Sequence, residues 1–573
     1  MRKRVAKFMA VLLAAGMTLS MVACGDKDVV SSETNTQETQ QTTASAATEP
    51  EEDLYYNKEG YPICDETITI KVSGMQKNSP DWNNTLFVKH IEENLGIKLV
   101  CEPVAKEAWN TQYALMLSTG ELPDLIINAN LDKAQVNKDG ESGFWLDLSQ
   151  YMDLMPNYAK MLEENDNFRA YTQTSTGAIY SVNRLTPGKA TEINWQIFAD
   201  TELLEGAGVK AEEIKTVDDF YNALVAVKAA YPDKVPFAFT PDVAPAARPD
   251  VMLRAAYGIL SNENSYVLVA DEAGKVSLAD ISDNNREYWK FLNKLYEEKL
   301  MDQNAFITTM DEYRAGEKDK KYVFFNDQGG LAYALSDGET QADYSMIFSL
   351  TSDICTETNY VCNNNFSTGA RIMVNAKTEY PEAIARLIDY LCTEEGYMLT
   401  SYGIEGQTYD LKVDEFGIPT VDHSKYADLT KYTSVTEWLN NSIIINQAMN
   451  MVHNFMGAHL DGLDNATLEK IVEADGSNAI NARRILAVQD IDNVVYTMPA
   501  LVYNADEAST RSTMRTDILN YLKQMKVSFI TGEVDIEDDK AWNDYVAKVK
   551  EMGYDKLMEI EQAAYDRYAA GLK

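Results

Sequence analysis

Between Thr67 and Asn128 the chain alternates twice between a strand pattern and a helix pattern, and few folds accommodate that. Thr67-Ile68-Thr69-Ile70-Lys71-Val72 alternates with the two-residue period of a strand. Leu86, Phe87, His90, Ile91 and Leu95 then recur on one side of a helix, and Gly96 ends it. Ile97 to Cys101 is a second strand, Thr111 to Leu117 a second helix, and Asp124 to Asn128 a third strand. Strands joined through helices pair in parallel, and parallel sheets hold ligands beyond the carboxyl ends of their strands. The segments at those ends are Asn78 to Asn84 with Trp82, Glu107 to Asn110 with Trp109, and Asn128 to Asn130.

The amino terminus carries an address. Arg2, Lys3, Arg4 and Lys7 precede an apolar run from Phe8 to Ala23. The run is shorter than the ~20 residues of a membrane-spanning helix and has the layout of a secretory signal. It ends in Met21-Val22-Ala23-Cys24-Gly25, which resembles a lipobox, so Cys24 is expected to take the lipid and to become the first mature residue. Residues 24–54 are rich in Ser, Thr, Gln, Glu and Ala, too polar to form a core, and read as a disordered tether. The expected location is the outer face of the cytoplasmic membrane, with the lipid as the only membrane contact.

Removing residues 1–23 takes four basic and no acidic residues from totals of 51 and 89, leaving 47 basic against 89 acidic. Such a body is repelled by nucleic acid and by anionic lipid surfaces. The residues beyond the tether exceed a single core, which predicts two or three domains. Five cysteines remain besides Cys24. An odd number cannot all pair, and spacing does not decide whether Cys355 and Cys362 do; buried free thiols are the simpler expectation.

Hydrolase, metalloprotease and phosphate-loop motifs are absent, and the four histidines have no evident partners. No cofactor is implied. Farther along, Thr216-Val217-Asp218-Asp219 reads as a capped helix start, with Phe220, Leu224 and Val227 in period. Tyr380-Pro381-Glu382 starts another helix, with Ile384, Leu387, Ile388 and Leu391 as its buried stripe. The last hundred residues read as helices. Trp289 and Trp542 fall in helical patterns and read as core.

Several segments together resemble the family 1 extracellular solute-binding lipoproteins of Gram-positive ABC importers. They are Ser118 to Asp124, Thr176 to Val182, Lys215 to Leu224, Tyr380 to Leu391, Thr393 to Gly396, Tyr402 to Tyr409, Phe529 to Glu533 and Ala564 to Tyr568. They follow in order from about residue 67 to residue 568. The resemblance implies an α/β, periplasmic-binding-protein-like fold: two α/β lobes around a hinged ligand cleft, with a helical carboxy-terminal region. Lobe one is expected at 55–189 with 366–410, returning through Gly369 to Asn375, and lobe two at 190–365 with 411–573. Many relatives carry a calcium-type loop after the Phe220 helix. Here that place reads Tyr231-Pro232-Asp233-Lys234-Val235-Pro236, without the repeated oxygen ligands, and no structural metal is expected.

The implied function is capture of an oligosaccharide or other sugar, without catalysis, and its delivery to ABC permease subunits by a monomeric protein. Sugar faces pack on aromatic rings and sugar hydroxyls need planar amide and carboxylate partners. Trp82, Trp109 and Trp195 are therefore candidate stacking rings, with packing as the even alternative for each. Asn83, Asn128, Asn326, Asp327, Gln328, Asn365 and Phe366 complete the candidate set; for the Asn326 and Asn365 segments turn chemistry is the alternative, and the resemblance favours the cleft. Arg184 and Lys189 keep acidic sugars open as ligands. A peptide or other nonsugar solute on the same fold, a glycoside-processing enzyme and a sensor subunit are the alternatives.

Overall fold

The computed structural model describes residues 54–572 apart from 77–80, 194, 239, 241–249, 264, 327–330, 332–333, 336–338, 446–448, 453–454, 476–477, 497 and 499–500. Residues 1–53, which hold the expected signal segment, Cys24 and all but the last residue of the expected tether, lie outside the described residues, as do Asp327 and Gln328.

The alternating start folds as its periods predict. Strands β1 (Ile68–Gln76) and β2 (Ile97–Ala105) pair in parallel from Ile68 opposite Ile97 to Gln76 opposite Ala105. Strand β3 (Leu125–Ile127) pairs in parallel on the other side of β1, and the returning strand Ile372–Val374 runs antiparallel to β3. Helix α1 (Leu86–Leu95) is capped by the Thr85 hydroxyl and buries Phe87, Val88, Ile91 and Leu95. It stops at Gly96, whose φ of 68° is left-handed and whose Cβ, if present, would lie 2.0 Å from the Cys64 carbonyl oxygen, so only glycine fits. Helix α2 covers Trp109–Thr119 and α3 covers Lys133–Glu141. Helix Pro381–Leu391 presses Ile384, Leu387, Ile388 and Leu391, all fully buried, into the same core.

The second sheet is mixed. Strands β4 (Ile197–Asp200), β5 (Val235–Phe237), β6 (Tyr322–Phe325) and β7 (Tyr344–Ile347) lie in the order β5-β6-β4-β7. The expected capping box forms between Thr216 and Asp219 at the start of helix Val217–Ala230. The turn after this helix is closed by the Lys234 ammonium, which donates to the Lys320 carbonyl at 2.6 Å. Helices Ala505–Ile530, Asp539–Glu551 and Tyr554–Gly571 complete this lobe. Trp289, Phe529, Trp542 and Tyr545 make one aromatic cluster there, Trp289 meeting Trp542 edge-on at 6.0 Å between ring centroids. One strand interrupts the expected helices: Asn493–Tyr496 pairs in parallel with Asn359–Cys362.

Part of the chain beyond residue 410 packs with the first core. Met449, Met451 and Val452 belong to the first core, beside Leu185 and Ile372. Trp438, Ile443 and Ile444 pack with Leu86 of α1. These residues of 411–452 are held against lobe one by burial that no local periodicity announces. All five described cysteines are free thiols, so Cys355 and Cys362 do not bridge.

Candidate ligand site

Three segments pass side by side between the lobes. The Leu185 amide donates to the Met451 carbonyl at 2.9 Å, and the Thr186 amide to the Asn365 carbonyl at 2.6 Å. The Ser367 amide donates to the Arg184 carbonyl, and the Asn363 amide to the Glu192 carbonyl, each at 2.9 Å. These bonds tie 184–192, 363–367 and 451–452 into one narrow band. Side chains reinforce it: Asn183 Nδ2 donates to the Ser367 carbonyl at 2.9 Å, and the Tyr171 hydroxyl donates to the Thr368 carbonyl.

On the lobe-one side, the carboxyl ends of β1 and β3 meet at Asn128. Its backbone is left-handed, with φ of 51°, a conformation that asparagine tolerates better than most residues. Its Nδ2 donates to the Met75 carbonyl at 2.8 Å, and its Oδ1 accepts from Arg371 Nη1 at 2.9 Å. Arg184, on the first crossing, is close enough to Arg371 to feel its charge; burial and that repulsion bring its pKa down to about 10. Burial also lowers Arg371. On the lobe-two side, Asn326 follows β6, donates through Nδ2 to the Gln196 carbonyl, and exchanges backbone bonds with the Tyr313 hydroxyl at 3.1 and 3.2 Å. Arg484 Nε reaches Gln196 Oε1 at 3.3 Å. Glu192 accepts from the Tyr496 hydroxyl at 2.6 Å, while burial raises its pKa.

The three candidate tryptophans are packed. Trp82, Trp109 and Trp195 are 1%, 2% and 3% exposed. Asn83 explains the first. Its side chain donates to the Cys101 carbonyl at 2.9 Å and accepts the Cys101 amide at 2.8 Å, pairing with the open edge of β2 as another strand would. That bond holds the turn down and seats Trp82 in the core with Phe87 and Leu99. Trp109 does not lie in a loop. It is the first residue of α2, and its Nε1 donates to the Ala129 carbonyl at 2.8 Å. Trp195 packs with Val251 and Tyr360, its backbone amide bonded to the Tyr360 hydroxyl at 2.7 Å. Phe366 is also core, 5.6 Å from Phe168 and 5.2 Å from Tyr171 between ring centroids. None of these rings offers a free face to a sugar in this conformation.

Asn128 and Asn326 are brought to strand ends as expected, both buried; Asn365 lies half-buried in the crossing band. Lys189 is exposed at the start of a short helix on the first crossing. Arg371 was missed among the candidates, because Gly369 to Asn375 read as a structural strand. A lone arginine among Ala370, Ile372, Met373 and Val374 was the available signal. A cavity of about 560 Å³ is lined by lobe-one residues such as Asn137 and Gln173 and by Tyr503, Arg567 and Tyr568 of the carboxy-terminal region.

Two α/β lobes joined by a narrow band of crossings define a two-lobed binding protein. Residues 84–398 match the family model of bacterial extracellular solute-binding proteins, and the chain belongs to that family. It is 24% identical to the fructooligosaccharide ABC transporter substrate-binding protein FusA of Streptococcus pneumoniae, over 98% of each chain. The solved structure of S. pneumoniae FusA in complex with kestose aligns with a TM-score of 0.65 at 21% identity, covering 88% of this chain and 100% of that one. An extracellular solute-binding protein from Bifidobacterium longum subsp. infantis aligns with a TM-score of 0.69 at 19% identity, covering 88% and 98%. Among the described residues, no group of three or more His, Cys, Asp or Glu side chains is placed to hold a metal ion.

Proposed function

We propose that this protein is the lipid-anchored, extracellular substrate-binding subunit of an ABC importer, capturing an oligosaccharide between its lobes and handing it to membrane permease subunits without altering it. The observation that carries this reading is the end-to-end match with FusA, a fructooligosaccharide-binding protein of that transporter class, on a chain whose lobes meet through a narrow crossing band. The Cys24 lipobox supports the anchor.

A thermal-shift screen of the full chain against oligosaccharides, amino acids and peptides tests the ligand class. A ligand at a hundredfold its dissociation constant adds about 2.7 kcal/mol, so an oligosaccharide hit raises the melting temperature visibly. Stabilisation by a peptide or amino acid, with none by any glycan, overturns the reading. The anchor is tested by Cys24→Ala, which removes the acyl acceptor. The variant is expected to lose fatty-acid labelling and to leave the membrane fraction; continued labelling would refute the anchor.

A further inference from the structure

We propose, resting on the oligosaccharide reading above, that the ligand is an acidic glycan and that Arg184 and Arg371 bind its carboxylate beside the carboxyl ends of β1 and β3.

The argument begins with position. Arg371 Nη1 is bonded to Asn128 Oδ1, and Asn128 is itself bonded to the Met75 carbonyl, so the guanidinium is fixed at the end of the sheet where ligands bind α/β folds. Arg184 stands beside it on the first crossing. Its backbone is held on both sides by Ser367, through its amide to Ser367 Oγ at 3.2 Å and its carbonyl to the Ser367 amide at 2.9 Å. Its Nε is buried and, among the described residues, has no hydrogen-bond partner.

Charge makes the arrangement unusual. The chain carries 89 acidic residues against 51 basic ones, so anionic partners are plentiful. Buried Lys526 has one, pairing with Asp250 at 3.0 Å, and part-buried Arg511 pairs with Glu561 at 2.8 Å, whereas buried Lys133 has only the Thr172 carbonyl and its pKa falls to about 7. Burial lowers the pKa of both guanidiniums, and the Arg371 charge adds to the effect on Arg184. The acids of the neighbourhood are engaged elsewhere. Asp132 caps α3, Glu192 takes the Tyr496 hydroxyl, and Asp461 takes the Lys189 amide at 2.9 Å. A lysine in such a place can shed its proton. A guanidinium cannot at neutral pH, so two half-buried like charges persist and disfavour the empty site. Neutral hydroxyls would satisfy hydrogen bonds and leave the charge. A carboxylate does both, in the forked geometry that guanidinium matches. Hexuronic and sialic acids share this group, and the probes below separate them.

The test is titration calorimetry on the full chain in detergent with trigalacturonate, its methyl ester, sialyllactose, lactose and kestose. One carboxylated probe is expected to bind, and to weaken by about tenfold or more on esterification or removal of its acid, on Arg184→Gln, and on Arg371→Gln. Raising salt from about 0.05 M to about 0.5 M should also weaken it. Trigalacturonate binding assigns a uronate, and sialyllactose binding a sialic acid. Kestose or lactose bound equally well in both variants overturns the carboxylate and leaves the oligosaccharide reading standing. Silence from every probe here and from the wider glycan screen overturns both. A second readout needs no ligand: Arg184→Gln should keep or raise the melting temperature of the empty protein, since it removes an uncompensated charge. A loss of several degrees there, shared by Arg184→Lys, would make Arg184 a structural residue and overturn the proposal.

Discussion

Trp82 shows how one residue's role depends on a partner far along the chain. Its neighbours Asp81, Asn83 and Asn84 have the composition of a sugar-binding loop, yet the ring is buried because Asn83 is bonded to Cys101 on β2. Trp82→Ala is therefore expected to cost about 3–5 kcal/mol of ligand-free stability, measured by urea unfolding, with the affinity of the folded fraction nearly kept. Weakened binding at unchanged stability would return Trp82 to the site. Lys133 gives a prediction with a pH signature. It is buried, its Nζ donates to the Thr172 carbonyl at 2.6 Å, and burial lowers its pKa to about 7. An unfolded lysine titrates near 10.4, so between these values the unfolded chain holds the extra proton and stability at this site rises with pH. Below about 7 the penalty of burying the ammonium is complete. Lys133→Met should raise the melting temperature, and by more at pH 6 than at pH 9. A gain independent of pH would mean that the buried charge is not the cost.

At the scale of elements, the regular segments were legible and the connections less so. Strands β1 and β2, helix α1 and the Thr216 capping box declare themselves through period and cap chemistry, which are local. The stretch 411–452 carries no such period. Its packing against lobe one rests on Met449 and Met451 reaching a core assembled from residues hundreds of positions away. The candidate site was legible in part for the same reason. Strand ends located Asn128 and Asn326, but local composition could not tell a ring that lines a cleft from one that fills a core. The turn after helix Val217–Ala230 lacks repeated oxygen ligands in its sequence, and the ammonium of Lys234 bonds across it to Lys320. A chelator is accordingly expected to shift the melting temperature by less than ~1 °C, since no metal-binding energy is coupled to folding there. A larger loss in EDTA, restored by calcium, would show a metal site.

For the whole molecule, the crossing band fixes how the lobes are joined. Among the described residues, 184–192, 363–367 and 451–452 are bonded to one another in it, so relative rotation needs few backbone changes there. A ligand touching both lobes favours the closed state. Small-angle scattering should show a smaller radius of gyration with saturating oligosaccharide than without. An unchanged radius would count against closure.

The interleaving of the two cores also governs when either can form. The first core begins at Ile63 but includes Ile372, Ile384 and Met451. The second begins at Ile197 and is completed by Phe529, Trp542 and Leu557. A chain threaded amino end first through a translocon thus has most of its length outside before lobe one can close, and nearly all of it before lobe two can. Until then the apolar faces of β1, β2 and α1 wait without their partners. For a chain exported amino end first, that order of segments delays both cores until late in its passage.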